Sequence, residues 1–272
     1  MPTLRVLVPA ALLVLSPALL GQRAFRALPG ELVAADLLGE PDTLVSVHSF
    51  GPNFMSPSHP FLSTPVNYLR GLEFDTPDSG YFVSGYTENG GPTGFFRFQN
   101  GQVSRVAQFP LARWGSLADT AWSQGRDFLW YVWDPAGAQM TTLYKIGLDG
   151  AFTAIGEMHY SNGVRVDIEG GLALDRKTGV LYGYDQNRAK LITIDPTTVV
   201  ATEVGSSGLA PYPNFVVMSM DFSLDGRLFL MRNFGNLFEV DTATGQATAA
   251  GEVDTLCSAM AFAPARLPVR DR

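Results

Sequence analysis

Ser219–Gly251, SMDFSLDGRLFLMRNFGNLFEVDTATGQATAAG, reads as four short β-strands in succession. SMDFS (219–223) turns at Leu-Asp-Gly into RLFLMR (227–232). NLFEVD (236–241) follows, and QATAAG (246–251) comes after Thr-Ala-Thr-Gly. Apolar residues alternate with polar ones or run together over four to six positions, and each run stops at Asp, Gly or Asn. That is the pattern of strands joined by tight turns.

The same unit recurs upstream. Its first strand is GLEFD (71–75), DTAWS (119–123), GLALD (171–175), SMDFS and, at the C-terminus, AMAFA (259–263). Aligned on Phe74, Trp122, Leu174, Phe222 and Phe262, the copies are about 40 to 52 residues apart, the period of four-stranded propeller blades. Second strands read YFVSGY, FLWYVW, VLYGYD and RLFLMR. Third strands read GFFRF, TLYKIG, KLITID and NLFEVD, and fourth strands VSRVAQF, FTAIGEM, VATEVG and ATAAGEV.

The last first-strand copy, CSAMAFAPA (257–265), has nothing downstream to pair with. LVAADLLGEPDTLVSVHSF (32–50) has the look of third and fourth strands without a first. Joining the two termini in one blade closes the ring and removes the edges an open array would expose. The expected fold is therefore all-β, a β-propeller of five four-stranded blades, or six if residues 22–65 hold further strands.

Met220–Phe229 (MDFSLDGRLF) followed by Leu237–Thr248 (LFEVDTATGQAT) is similar to the bacterial propeller repeats of the YVTN, NHL and quinoprotein-like groups. The resemblance covers nearly all of the chain after its N-terminal segment and implies the fold. It does not imply an activity, because the shared residues are turn and packing signals. Trp133-Asp134 occurs once, so the dipeptide of WD40 blades is not repeated, and the metal-ligand pattern of lactonase-type propellers is absent.

Residues 1–22 carry one early positive charge, Arg5, and an apolar stretch broken by Pro9 and Pro17. This suits a secretory signal better than a membrane span. Residues 23–272 then form a single propeller domain, expected to be secreted or periplasmic, monomeric and without a membrane span. Cys257 is the only cysteine, so no intrachain disulfide forms. A formal charge of −7 and no basic cluster argue against nucleic-acid binding.

Propeller connectivity puts the first-to-second and third-to-fourth turns on one face. These are short and rich in Asp and Gly, and Asp78, Asp149, Asp225 and Asp241 read as turn-formers. Calcium at such turns is the lesser alternative, and no cofactor or other metal is expected. The opposite face carries long loops, where binding residues usually sit. Its candidates for ligand contact are Arg113, Trp114, His159, Tyr160, Asn162, Tyr212, Asn214, Tyr86, Trp133, Arg188 and Arg232. Aromatics, amides and guanidinium groups together fit a polar organic ligand such as a carbohydrate, or a partner protein. Within the central channel, Glu73, Asp119, Asp167, Glu169 and Asp221 stand out against small neighbours as candidate catalytic carboxylates. The expectation is a non-catalytic binding propeller, with an extracellular hydrolase or lyase of glycosidase type as the alternative.

Overall fold

The computed structural model describes residues 32–36, 43–47, 59–63, 69–84, 94–109, 118–133, 141–211, 216–232, 235–252 and 257–264. Among them the secondary structure is entirely β. The strands are β1 (Leu32–Asp36), β2 (Thr43–Val47), β3 (His59–Ser63), β4 (Leu69–Thr76), β5 (Ser79–Ser84), β6 (Gly94–Gln99), β7 (Gln102–Ala107), β8 (Ala118–Trp122), β9 (Phe128–Trp133), β10 (Thr142–Gly147) and β11 (Phe152–Glu157). They continue with β12 (His159–Tyr160), β13 (Leu172–Leu174), β14 (Leu181–Asp185), β15 (Lys190–Asp195), β16 (Val200–Ser206), β17 (Val217–Phe222), β18 (Leu228–Arg232), β19 (Asn236–Val240), β20 (Ala247–Glu252) and β21 (Cys257–Phe262).

Three sheets are plain meanders, β4 to β7, β8 to β11 and β17 to β20. A fourth, β13 to β16, carries β12 as a fifth strand on its outer edge. The last has the order β21-β1-β2-β3, so the C-terminal strand lies beside the N-terminal one, with Leu32 opposite Phe262 and Val33 opposite Ala261. The first strands β4, β8, β13, β17 and β21 pack on one another in cyclic order. This is a β-propeller arrangement.

Exposure follows the radial position. All the described residues of β8, β13 and β17 are buried, whereas the outer β7, β11 and β20 have none that is fully buried. Apolar layers lie between neighbouring sheets. Val33 and Ala35 of β1 face Leu72, Phe74 and Phe98, while the alternate Leu32 and Ala34 face Phe229 and Met231. The two-residue period of a strand thus serves two interfaces at once. Where first strands converge, space is short. A Cβ on Gly71, at φ +77°, would lie 2.6 Å from Thr120 Oγ1 of β8.

Two expectations change. One sheet has five strands rather than four, because the segment after β11 crosses to the edge of the next sheet, where His159 and Tyr160 pair in parallel with Val200 and Ala201. In the closing sheet, residues 32–36 and 43–47 are the second and third strands rather than the third and fourth. The fourth is His59–Ser63, within the residues 22–65 whose pattern left further strands open. Pro60 hides it, although an outermost strand tolerates a proline whose missing N–H faces away from its partner.

The short turns are built as expected. Asp149 Oδ1 accepts from Ala151 N at 3.0 Å, and Asp241 Oδ1 from Ala243 N at 2.8 Å. Asp78 accepts from Thr76 Oγ1 at 2.6 Å, and Asp225 from Ser223 Oγ. Phe222 packs with Leu228 and Val240, its ring 5.7 Å from Tyr182. Phe222→Ala should cost about 3 to 5 kcal/mol in urea unfolding. A loss below about 1 kcal/mol would contradict that packing.

Candidate functional site

The first strands bring carboxyl groups to the axis. Three residues before the aligned apolar residue, four of these strands carry Gly71, Gly171, Ser219 and Ala259, and β8 carries Asp119. With small residues around it, the Asp119 side chain reaches across the axis. Its Oδ2 accepts from the backbone N–H groups of Gly171 at 3.1 Å, Leu172 at 3.0 Å and Met220 at 3.0 Å. Its Oδ1 accepts from Thr120 N at 3.0 Å and Ser219 Oγ at 3.1 Å. One carboxylate therefore ties three sheets together. Burial raises its pKa to about 7, opposed chiefly by the Leu172 and Met220 amides.

Asp221 is bound in a similar way. Oδ1 accepts from Phe222 N at 2.7 Å and Oδ2 from Phe262 N of the closing strand at 2.8 Å. Burial raises its pKa. Glu73 is buried too, and its pKa lies well above the ordinary value, first through burial and then through the nearby Asp221. All three belong to the channel wall.

Asp167 and Glu169 lie in the segment leading into β13, on the long-loop side. Asn187 Nδ2 donates to Asp167 Oδ2. Glu169 is half-buried, with Oε2 enclosed and no hydrogen bond to it. Burial, then the neighbouring Asp167, raises its pKa to about 7. Its Oε2 has acceptor capacity to spare.

The five-stranded sheet gathers four of the expected ligand contacts. Tyr160 sits on β12, Asn162 in the turn after it, and Arg188 in the β14–β15 hairpin. Asp185, fully buried, accepts from Tyr160 Oη at 2.7 Å, from Arg188 Nη1 at 2.8 Å and from Arg188 N at 3.1 Å. The Arg188 guanidinium also lies over the Tyr160 ring, 5.2 Å from its centroid. A cleft of about 350 Å³ opens beside this cluster, lined by Tyr160, Asn162, Arg188, Lys190, Thr202 and Glu203 among others. Lys190 Nζ and Glu203 Oε1 pair across it at 2.6 Å. His159 lies next to it, its Nδ1 3.1 Å from Glu157 O.

The remaining candidates lie elsewhere. Trp133 ends β9, with its ring 6.4 Å from Tyr144 in an aromatic layer, and Arg232 ends β18. Arg113, Trp114, Tyr86, Tyr212 and Asn214 fall outside the described residues. Lys190, Thr202 and Glu203 were not among the expected contacts. They stand on β15 and β16, among other polar residues of those strands from which nothing in the sequence sets them apart. A larger concavity, about 570 Å³, lies on the short-turn side of the sheet β17 to β20. There Arg227 pairs with Asp225 at 2.8 Å and Glu239 at 3.3 Å. Among the described residues, no group of three or more His, Cys, Asp or Glu is placed to hold a metal ion, and no helix is long and apolar enough to cross a membrane.

The backbone is similar to a chain in the crystal structure of a nidogen–laminin complex. The TM-score is 0.53 at 12% identity, covering 86% of this chain and 99% of that one. The likeness is one of fold. A calcium-binding protein, regucalcin, from Agrobacterium tumefaciens matches at TM-score 0.46 and 16% identity over 91% of this chain and 86% of its own. An auxiliary nutrient binding protein from Bacteroides thetaiotaomicron matches at 0.47 and 14% over 80% and 48%. No family model and no curated protein matches the sequence.

Proposed function

We propose that the chain is a secreted or periplasmic, non-catalytic binding propeller. Residues 1–22 are its signal segment, and residues 23–272 form one monomeric domain closed as a ring of five blades. Its ligand is a polar organic molecule of the carbohydrate class, held in the cleft beside Tyr160 and Arg188. The observation that carries this reading is the composition of that cleft, where an amide, a hydroxyl and an adjacent ammonium–carboxylate pair share one concave surface. A sugar hydroxyl both donates and accepts, so it can bond Lys190 and Glu203 together. Asn162 Oδ1 is used locally by Val164 N at 3.0 Å, and its NH₂ remains to donate. The axial carboxylates fit this reading as well, since Asp119 and Asp221 spend their lone pairs on backbone amides.

Binding to a glycan array, followed by titration calorimetry on each hit, tests the proposal. The double variant Lys190→Ala/Glu203→Ala should weaken any such ligand at least about tenfold, which is about 1.4 kcal/mol. Its melting temperature should stay nearly unchanged, because an exposed pair contributes about 1 kcal/mol or less to stability. Undiminished binding would move the site elsewhere, and an array without hits would remove the carbohydrate class.

A second reading, an extracellular hydrolase or lyase, is favoured by Glu169, a carboxyl with a pKa raised to about 7 beside Asp167. Such a group can hold a proton at neutral pH and deliver it to a leaving oxygen. Turnover of a bound glycan, lost in Glu169→Gln, would establish it.

A further inference from the structure

We propose that closure of the ring is proton-linked. Glu73 and Asp221, on the two first strands that flank β21, form a carboxyl pair across the seam where the two ends of the chain meet, and a proton held there keeps the seam shut.

The geometry comes from the repeat. One residue before the aligned apolar residue, the five first strands carry Glu73, Ala121, Ala173, Asp221 and Ala261. Carboxyls occupy this position only on the strands either side of Ala261, and β21 packs between β17 and β4. An alanine puts no long side chain between them. The seam itself is held by Phe262 N donating to Asp221 and by the ladder between β21 and β1. Asp221 is therefore the better anion of the two, since both its oxygens accept amides. Among the described residues no hydrogen bond reaches the Glu73 carboxyl, which is only 4% exposed.

The groups facing this pair come from several elements. Asp119 on β8 adds negative charge, whereas Arg126 after β8 and Arg176 after β13 add positive charge. Tyr81 of β5 is opposite Glu73 in the ladder, and β21 contributes no titratable side chain among Ser258–Phe262. Arg126 is committed to the carbonyls of Phe74 and Asp75, and the Arg176 side chain is exposed at the surface. Charge around the seam therefore follows the Glu73 proton together with that of Asp119, whose pKa of about 7 lies within the same pH range. Because the folded-state pKa of Glu73 is raised, its contribution is complete below the unfolded value of about 4.3 and is lost as pH rises through the folded value. Above that, two buried anions flank a strand held laterally by hydrogen bonds and packing, and separating β21 from β17 and β4 relieves the repulsion.

Amide hydrogen exchange on the intact protein at pH 5, 6.5 and 8, corrected for intrinsic rates, tests this. Protection of the β21 amides, Phe262 included, should fall at least about tenfold relative to β10 between pH 5 and 8, a change of about 1.4 kcal/mol in local opening. Glu73→Gln, which keeps the shape without the charge, should flatten that dependence. Arg176→Ala, a surface change, should shift the loss of protection to higher pH by removing a charge that favours ionisation. Parallel changes in β21 and β10, or an unaltered pH dependence in either variant, would overturn the proposal. If Glu73→Gln does not fold, the wild-type comparison and Arg176→Ala decide.

Discussion

Asp119→Ala should lower the melting temperature by roughly 8 to 16 °C, the largest effect expected of any single polar substitution in this protein. Three amides from two other sheets and one hydroxyl converge on this carboxylate, which is 1% exposed. Each buried donor left without a partner costs about 1 to 3 kcal/mol, and together they outweigh what is regained by no longer burying a carboxyl. A net loss of about 4 kcal/mol, at about 2 to 4 °C per kcal/mol for a chain of this size, gives that range. Asp119→Asn should fall between, since one acceptor remains while its NH₂ faces donors. Urea unfolding of both variants measures it. A loss under about 1 kcal/mol for the alanine variant would show that the axis can rearrange to satisfy these amides. The carboxyl also has a pH signature. With a folded pKa of about 7 against an ordinary 3.8, its contribution to stability falls as pH rises from about 4 to 7. That component of the slope should vanish in Asp119→Asn.

Truncation after Val253 should abolish the soluble monomer. It removes β21, leaving β1 paired on one side only, with β2, and exposing apolar residues on both sides of the gap, among them Phe229 and Met231 on one and Leu72 and Phe74 on the other. Losing Phe262 N also leaves Asp221 Oδ2 without its amide donor. Bare strand edges next to exposed apolar surface pair with other chains. Size-exclusion chromatography of the truncated and full chains is the measurement, and a monomeric truncation with unchanged melting would refute closure by the two termini.

The candidate site was less legible than the fold. Tyr160, Asn162 and Arg188 could be placed on one face from connectivity, and they meet in one cleft. Lys190 and Glu203 could not, because they reach that cleft from the outer strands of a sheet whose edge is covered by a segment arriving from its neighbour. The carboxylates show the same limit. Asp119 and Asp221 look alike in the sequence, as acidic residues in small-residue strands. Only the partners across the axis reveal that they hold sheets together.

Local order determined the strands: alternation, Asp-Gly turns and a period near 48 residues are written along the chain, since each meander pairs with itself over short distances. The tertiary structure alone decided which blade takes β12, that the N-terminal segment gives three strands, not two, to the blade it shares with the C-terminal strand, and which buried acids are satisfied. Those outcomes depend on contacts between residues far apart in sequence, such as Asp119 with Met220 or Asp221 with Phe262. No local pattern encodes them, because the energy of a buried carboxyl is set by the donors that surround it.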